Sequence, residues 1–275
     1  MSQTTSNLPR LHEPFEVTAE QRASFARDGF VKLAGVLRAE EVAAYRAVID
    51  EAVNATPPLR PDGEEDYAYA KDFEQHMNLW AHHEGASAFC FSERLGRIAA
   101  ELMGVDGVRI YHDQAVFKHA GGGRTPWHRD SHFFPLDTDR VITVWMPLVD
   151  VTPEMGELRY AVGTHRRDDT PDVGISPDAD ATLEDFVSGQ GIRYEGTGTM
   201  AAGDAAFHLA DTLHMALPNE TDTVREVMTV IWFADGAKVT EPANEDQVND
   251  IARWLVDCTP GDQAAGPLNP RTYPR

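Results

Sequence analysis

The chain has 275 residues, 42% of them hydrophobic, and a formal net charge of −21. This length favours a single domain over residues 1–275, and the apolar content is sufficient for a sizeable core. The negative charge argues against nucleic acid or an anionic membrane as a partner, and no apolar run approaches the roughly 18 residues of a membrane span.

The first hundred residues predict a leader followed by helices. Residues 1–16 are expected to be a loosely ordered leader, and they lack the basic and apolar regions of a secretory signal. We therefore expect a cytoplasmic protein, either a monomer or a homodimer. A capping box and apolar residues recurring every three to four positions predict helices over residues 18–27, 39–55 and 92–103.

The rest of the chain predicts a β-rich core. Apolar and β-branched runs bounded by turn residues predict strands over residues 108–117, 141–149, 158–162, 205–208 and 226–233. Residues 166–198, rich in Asp, Pro, Gly and Thr, are expected to form a lid over the active site, with a short helix at 182–187. A helix over 244–256 precedes a Pro-rich tail, residues 257–275, that would pack on the core or on a partner subunit.

Two histidines and an aspartate form the most informative pattern. His128 and Asp130 stand in Trp127-His128-Arg129-Asp130, and His214 follows far along the chain. Two His and one carboxylate bind Fe(II) on one face and leave the other positions open. Arg225, eleven residues beyond His214, suits a bidentate grip on the carboxylate of an organic acid. The combination indicates an oxygenase that uses 2-oxoglutarate.

The ordered set of motifs resembles the phytanoyl-CoA dioxygenase family over roughly residues 17–235. The matching segments are Phe25 to Val31, His128-x-Asp130, Gly156-Glu157-Leu158, Gly163-Thr164-His165, His214, Pro218-Asn219 and Arg225. The resemblance implies an all-β core with flanking helices, folded as a double-stranded β-helix (jelly roll, cupin-like). It also implies Fe(II) as the metal, 2-oxoglutarate as the cosubstrate and O2 as the oxidant.

The resemblance further assigns roles to individual residues. The metal ligands would be His128, Asp130 and His214. The cosubstrate would be bound by Arg225, at its distal carboxylate, and lined by Lys71, Gln114 and Trp145. Family members often carry Ser two residues after the distal His, where this chain has Ala216. We expect Thr143 or Thr229 to replace that hydrogen bond.

Several other histidines compete for roles. His208 is an alternative distal ligand, although its place in an apolar run favours a core or pocket histidine. His132 either lines the substrate pocket or lies on the surface. His82-His83-Glu84 has no partner motif, and we interpret it as a loop or helix surface.

The predicted function is hydroxylation of an aliphatic carbon in a small molecule, such as a bacterial natural-product intermediate. Asp130 argues against halogenation, because halogenating relatives replace this carboxylate with a small residue. The same iron site would equally support epimerisation, desaturation or ring closure. From another class, a non-catalytic jelly-roll binding protein with a structural metal stays open, and a zinc hydrolase lacks a recognisable general base.

Overall fold

The computed structural model describes residues 8–59 and 73–275. The α-helices in these ranges are α1 (Ala19–Asp28), α2 (Ala39–Ala55), α3 (Glu84–Cys90), α4 (Glu93–Met103), α5 (Pro177–Gly189) and α6 (Glu245–Trp254). The strands are β1 (Phe30–Leu33), β2 (Phe73–Met77), β3 (Val108–Lys118), β4 (Thr125–His128), β5 (Val141–Pro147), β6 (Leu158–Ala161), β7 (Tyr194–Gly196), β8 (Ala205–Leu209), β9 (His214–Ala216), β10 (Arg225–Ala234) and β11 (Arg271–Tyr273). Within these ranges, no helix combines the length and apolarity needed to cross a bilayer.

The strands form two antiparallel sheets. The larger sheet has the order β1-β8-β5-β10-β3-β11, and β2 also pairs with β3. The smaller sheet has the order β4-β9-β6-β7. Apolar side chains from both sheets, among them Trp145, Tyr160 and Val227, pack in one buried cluster. The fold is therefore a predominantly β core with flanking helices.

The side chains of β10 divide between the two faces of the larger sheet because successive residues of a strand point to opposite sides. Val230 and Trp232 join the core that α2, α3 and α4 build on one face of this sheet. Thr229 and Ile231 instead line a cavity on the opposite face, between the sheets. The helical layer thus covers one face and leaves the other for a site.

The helices predicted from a capping box at residue 18 and from apolar periodicity over residues 39–55 are confirmed. Thr18 and Gln21 form a complete capping box at α1, and α2 has the predicted bounds. The helix expected at 182–187 is longer, because Ser176 caps it and Pro177 occupies its first turn.

The segment 166–198 contributes little to the cavity. Leu183 and Val187 of α5 pack with Trp127 and Met215 on the outer face of the smaller sheet. Among residues 166–198, Ile175 lines the cavity. A lid role over the mouth stays a prediction for the part of the segment around Ile175.

Both ends of the described chain pack on the core. Residues 8–16 are not loose, since Leu11 is buried and the Tyr45 hydroxyl donates to the carbonyl of Pro9. The tail pairs β11 with β3, so it packs on the core. Neither contact could be predicted from the local sequence, because each involves a distant part of the chain.

The buried side chain of Arg94 joins two helices to each other and to the N-terminal segment. Arg94 of α4 donates to the carbonyls of Glu13 and Val36. Its guanidinium also pairs with the buried carboxylate of Glu41 on α2, at 2.7 Å.

We expect Arg94→Ala to lower the free energy of unfolding by about 1–3 kcal/mol, because Glu41 loses its buried partner and keeps only the half-exposed Arg38. Arg97→Ala, which removes a more exposed arginine of the same helix, should cost at most about 1 kcal/mol. Urea unfolding of the two variants measures the difference. Equal losses of unfolding free energy in the two variants would contradict the structural role given to Arg94.

Candidate metal centre

The two candidate histidines are brought together by strand pairing. His128 ends β4 and His214 begins β9, and these residues are direct partners in the antiparallel register. Their ring centroids lie 4.1 Å apart. Asp130 follows β4, with its Oδ1 3.8 Å from His128 Nε2 and 3.7 Å from His214 Nε2. Among the described residues, these three form a group that can hold a metal ion.

Backbone carbonyls orient both imidazoles. Nδ1 of His128 donates to the Pro126 carbonyl at 2.8 Å, and Nδ1 of His214 donates to the Thr212 carbonyl at 3.0 Å. Each Nε2 therefore carries the lone pair that a metal requires. Burial, together with the neighbouring histidine, lowers the pKa of each ring to about 4. Both rings are consequently neutral at neutral pH.

One oxygen of Asp130 is already occupied by the protein. Oδ2 accepts hydrogen bonds from Thr143 Oγ1 at 2.8 Å and from His208 Nε2 at 3.2 Å. The Tyr160 hydroxyl donates in turn to His208 Nδ1 at 3.1 Å. Burial raises the pKa of Asp130, but the three surrounding histidines together outweigh it, so its pKa lies below the usual range. The carboxylate is thus ionised, with Oδ1 directed at the two Nε2 atoms.

The competing histidines have other roles. His208 orients Asp130 and lies outside the three-residue group, so it is not the distal ligand in this arrangement. His132 is buried, bridging Asp172 at 2.8 Å and Asp246 at 3.1 Å, and it neither lines the main cavity nor lies on the surface. His83 accepts a hydrogen bond at the N-terminus of α3.

A cavity of about 740 Å³ between the sheets contains the site. The predicted cosubstrate residues that line it are Gln114, Thr143, Trp145 and Arg225. The hydroxyl of Thr143 donates to Asp130, and that of Thr229 donates to the Gln114 carbonyl. Lys71 lies outside the described residues.

Arg225 is buried at the start of β10. Its side chain is buried, donates from Nη1 to the Gly156 carbonyl at 2.5 Å, and lies over the Trp145 ring at 5.2 Å. Gly156 has φ of +88°, and a Cβ there would come within 2.6 Å of the Leu217 carbonyl oxygen. Glycine is therefore required where the chain passes Arg225.

Several residues that line the cavity were not predicted from the sequence. His112 lines the cavity two residues before Gln114 on β3, so strand alternation could have identified it. Asp246, Asp250 and Trp254 line it from α6 at intervals of four, a helical stripe readable from the sequence. Thr125 lies opposite Ala216 across β4 and β9, and this pairing required the register.

The donor set fits a divalent first-row metal ion. Two neutral imidazole nitrogens and one carboxylate oxygen are offered from one side, and the cavity lies on the other. The separations of 3.7 and 3.8 Å are within an ångström of the roughly 3 Å between adjacent ligands whose metal bonds are about 2.1 Å long.

The chain thus combines two antiparallel sheets with a candidate metal site between them. The model of the phytanoyl-CoA dioxygenase (PhyH) family matches residues 25–227. The chain belongs to this family, which confirms the resemblance in its motifs.

The curated relatives named by the comparison are less than 30% identical to this chain. An ectoine dioxygenase of Nocardia farcinica is 28% identical over 169 residues, which cover 59% of this chain and 55% of that protein. The chain thus spans about half the length of the curated relatives it matches. Among solved structures, the non-heme alpha ketoglutarate dependent carbocyclase SnoK is 24% identical, with a TM-score of 0.77 over 94% of this chain and 99% of that one. The epimerase SnoN, in complex with Fe3+, alpha ketoglutarate and nogalamycin RO, is 24% identical, with a TM-score of 0.75 over 92% and 97%. These structural likenesses establish the fold.

We expect Asp130→Ala to abolish Fe(II) binding, because it removes one of three ligands. Thr143→Val should weaken binding by about 10- to 100-fold, since it releases the oriented carboxylate. Calorimetric titration under argon measures both affinities. Asp185→Asn, on the exposed side of α5, is the charge-matched control and should bind like the parent. Unchanged affinity in Asp130→Ala would refute the site.

Proposed function

We propose that the protein is a non-heme Fe(II)/2-oxoglutarate-dependent dioxygenase that oxidises an aliphatic carbon of a small molecule. The observation that carries the proposal is the arrangement of one cavity: His128, Asp130 and His214 face it, and the buried Arg225 lines it. A structural metal would not require an arginine in the same cavity. The proposed reaction is hydroxylation of a small molecule such as an intermediate of a natural-product pathway.

The strand order supports a double-stranded β-helix. From β3 to β10, the chain places β3, β5, β8 and β10 in the larger sheet and β4, β6, β7 and β9 in the smaller one. Each sheet therefore receives four strands, which is the arrangement of an eight-stranded jelly roll. His128 and His214 then lie on adjacent strands at one end of the smaller sheet.

The chain's own residues prepare the site for this chemistry. His128, Asp130 and His214 would hold the iron, and Arg225 would bind the distal carboxylate of 2-oxoglutarate through its guanidinium. When bound, iron, 2-oxoglutarate and O2 together supply an oxidation in which the keto acid is converted to succinate and CO2. The walls exclude water and orient the substrate carbon.

Thr125 is the best candidate to replace the serine that the family often carries at position 216. Its side chain lines the cavity opposite Ala216, and its hydroxyl receives a hydrogen bond from Lys118 at 3.3 Å. Thr143 and Thr229 already direct their hydroxyl protons to Asp130 and to the Gln114 carbonyl. Thr125 therefore fits this hydrogen bond better than either residue predicted from the sequence.

A second outcome on the same site is epimerisation or ring closure. The structures of SnoN, an epimerase, and SnoK, a carbocyclase, match 92% and 94% of this chain. All these reactions begin with removal of a substrate hydrogen, so the metal ligands do not distinguish them. Product mass distinguishes them: hydroxylation adds an oxygen, ring closure or desaturation removes two hydrogens, and epimerisation leaves the mass unchanged.

Release of succinate from 2-oxoglutarate tests the function itself. We expect the protein with Fe(II) and O2 to form succinate, and Asp130→Ala to form none. Absence of succinate from the parent protein, with iron bound, would favour the non-catalytic binding protein.

We expect Arg225→Gln to weaken 2-oxoglutarate binding by about 10- to 150-fold, the loss of a charge-assisted hydrogen-bond pair. Fe(II) affinity should stay unchanged, because Arg225 is not a ligand. Calorimetric titration of the iron-loaded protein with 2-oxoglutarate under argon provides the measurement. Arg159→Gln, on the neighbouring sheet, is the control and should bind 2-oxoglutarate normally.

A further inference from the structure

The part of the cavity beside α6 carries side chains that the metal centre does not use. We call it the outer chamber and define it by His112, Phe134, Asp250 and Trp254, all of which line the same cavity as Asp130. Asp250 and Trp254 are four residues apart and thus share one face of α6. The chamber is therefore placed where a substrate would extend away from the metal.

Aromatic rings form one wall of the outer chamber. The His112 ring lies 5.3 Å from Trp254 and 6.3 Å from Phe134, measured between centroids. Tyr111 supports Phe134 from behind at 4.5 Å. Such a wall accommodates a flat or cyclic ligand and presents ring faces that attract a cation.

His112 contributes a buried imidazole to this wall. The residue is 3% exposed, and among the described residues no hydrogen bond reaches its Nδ1. Burial lowers the pKa of His112 to about 3, so the imidazole is neutral. Buried polar groups are normally satisfied, and an unsatisfied one beside a cavity indicates a partner supplied by a ligand or an ordered water.

Asp250 supplies a carboxylate at the same place. It accepts a hydrogen bond from the Tyr111 hydroxyl at 2.8 Å. Burial, with the charge of Asp246, raises the pKa of Asp250 to about 7, against the opposing effects of the Tyr111 hydrogen bond and of Arg253. A carboxylate that is costly to ionise gains most from a cationic ligand.

The chemistry of the chamber favours an ammonium group over a metal cation. Hard metal ions require six or more oxygen ligands, whereas an ammonium on an apolar ring is satisfied by one carboxylate and aromatic faces. The net charge of −21 would also raise the local concentration of cationic ligands.

We propose that the outer chamber binds a cyclic substrate bearing a protonated amine, with its ring against Trp254 and Phe134 and its ammonium paired with Asp250. His112 hydrogen-bonds a polar group on the same ring system. As a substrate site, this assignment rests on the proposed oxygenase function, whereas the binding itself is measurable without turnover.

Matched fluorinated probes test the charge preference. Binding of 4-(trifluoromethyl)benzylamine and 4-(trifluoromethyl)benzyl alcohol to the full chain, without added metal, is followed by fluorine NMR. We expect the amine to bind at least about tenfold more tightly, since a charge-assisted hydrogen bond is available to it alone. Equal binding of the two probes, or binding of neither, overturns the proposal.

Two variants test whether Asp250 is the residue that causes the preference for the amine. Asp250→Asn should remove the amine preference, since the amide still accepts from Tyr111 but carries no charge. Glu245→Gln removes a charge from the exposed side of α6 and should leave the preference intact. Persistence of the preference in Asp250→Asn would reject Asp250 as the partner.

A pH titration of the parent protein provides a test that needs no variant. The groups facing Asp250 are Tyr111 and His112 from β3 and Asp246 and Arg253 from α6. Because the pKa of Asp250 is raised to about 7, the amine preference should increase as the pH rises from about 6 to about 8. A preference that does not change over this range contradicts the proposal.

The same measurements separate this proposal from the proposed function. Succinate formation with an intact 2-oxoglutarate site but no amine preference would reject the outer-chamber assignment alone. An amine preference without any succinate would retain the binding site and reject the oxygenase.

Discussion

The hydrogen bonds to one oxygen of Asp130 are the constraint on which the site depends. Thr143 and His208 hold Oδ2 from β5 and β8 of the larger sheet. His128 and His214 belong to the smaller sheet. The candidate metal centre is therefore a junction between the two sheets, and its geometry is set by how the sheets pack. Because each imidazole Nδ1 is also bonded, the ligand atoms are oriented before any metal binds.

The same packing explains why a polar site is tolerated inside an apolar core. Tyr160 donates to His208, His208 donates to Asp130, and the ring of Tyr160 stacks on Phe30 at 4.4 Å. The hydroxyl of Tyr160, both ring nitrogens of His208 and Oδ2 of Asp130 are thus all hydrogen-bonded, so burial does not leave these polar atoms without partners. In the same cavity, the Gly156 carbonyl accepts from Arg225. Backbone carbonyls thus orient the arginine as well as the two histidines.

The segment between β6 and β8 stabilises the site from outside. Asp180 of α5 accepts from the backbone amide of Trp127, and Glu184 accepts from its indole at 2.7 Å. These contacts fix β4, the strand that carries His128.

The sequence by itself determined the local elements and the identity of the candidate ligands. Capping residues and apolar periodicity act over about ten residues, so α1, α2 and β10 could be predicted closely. The ordered set of motifs from Phe25 to Arg225 also indicated the family. Only the tertiary structure decided that His208 orients Asp130, that residues 8–16 are packed, and that Thr125 faces Ala216. These facts depend on register and on sheet packing between residues distant in sequence, which no local propensity encodes.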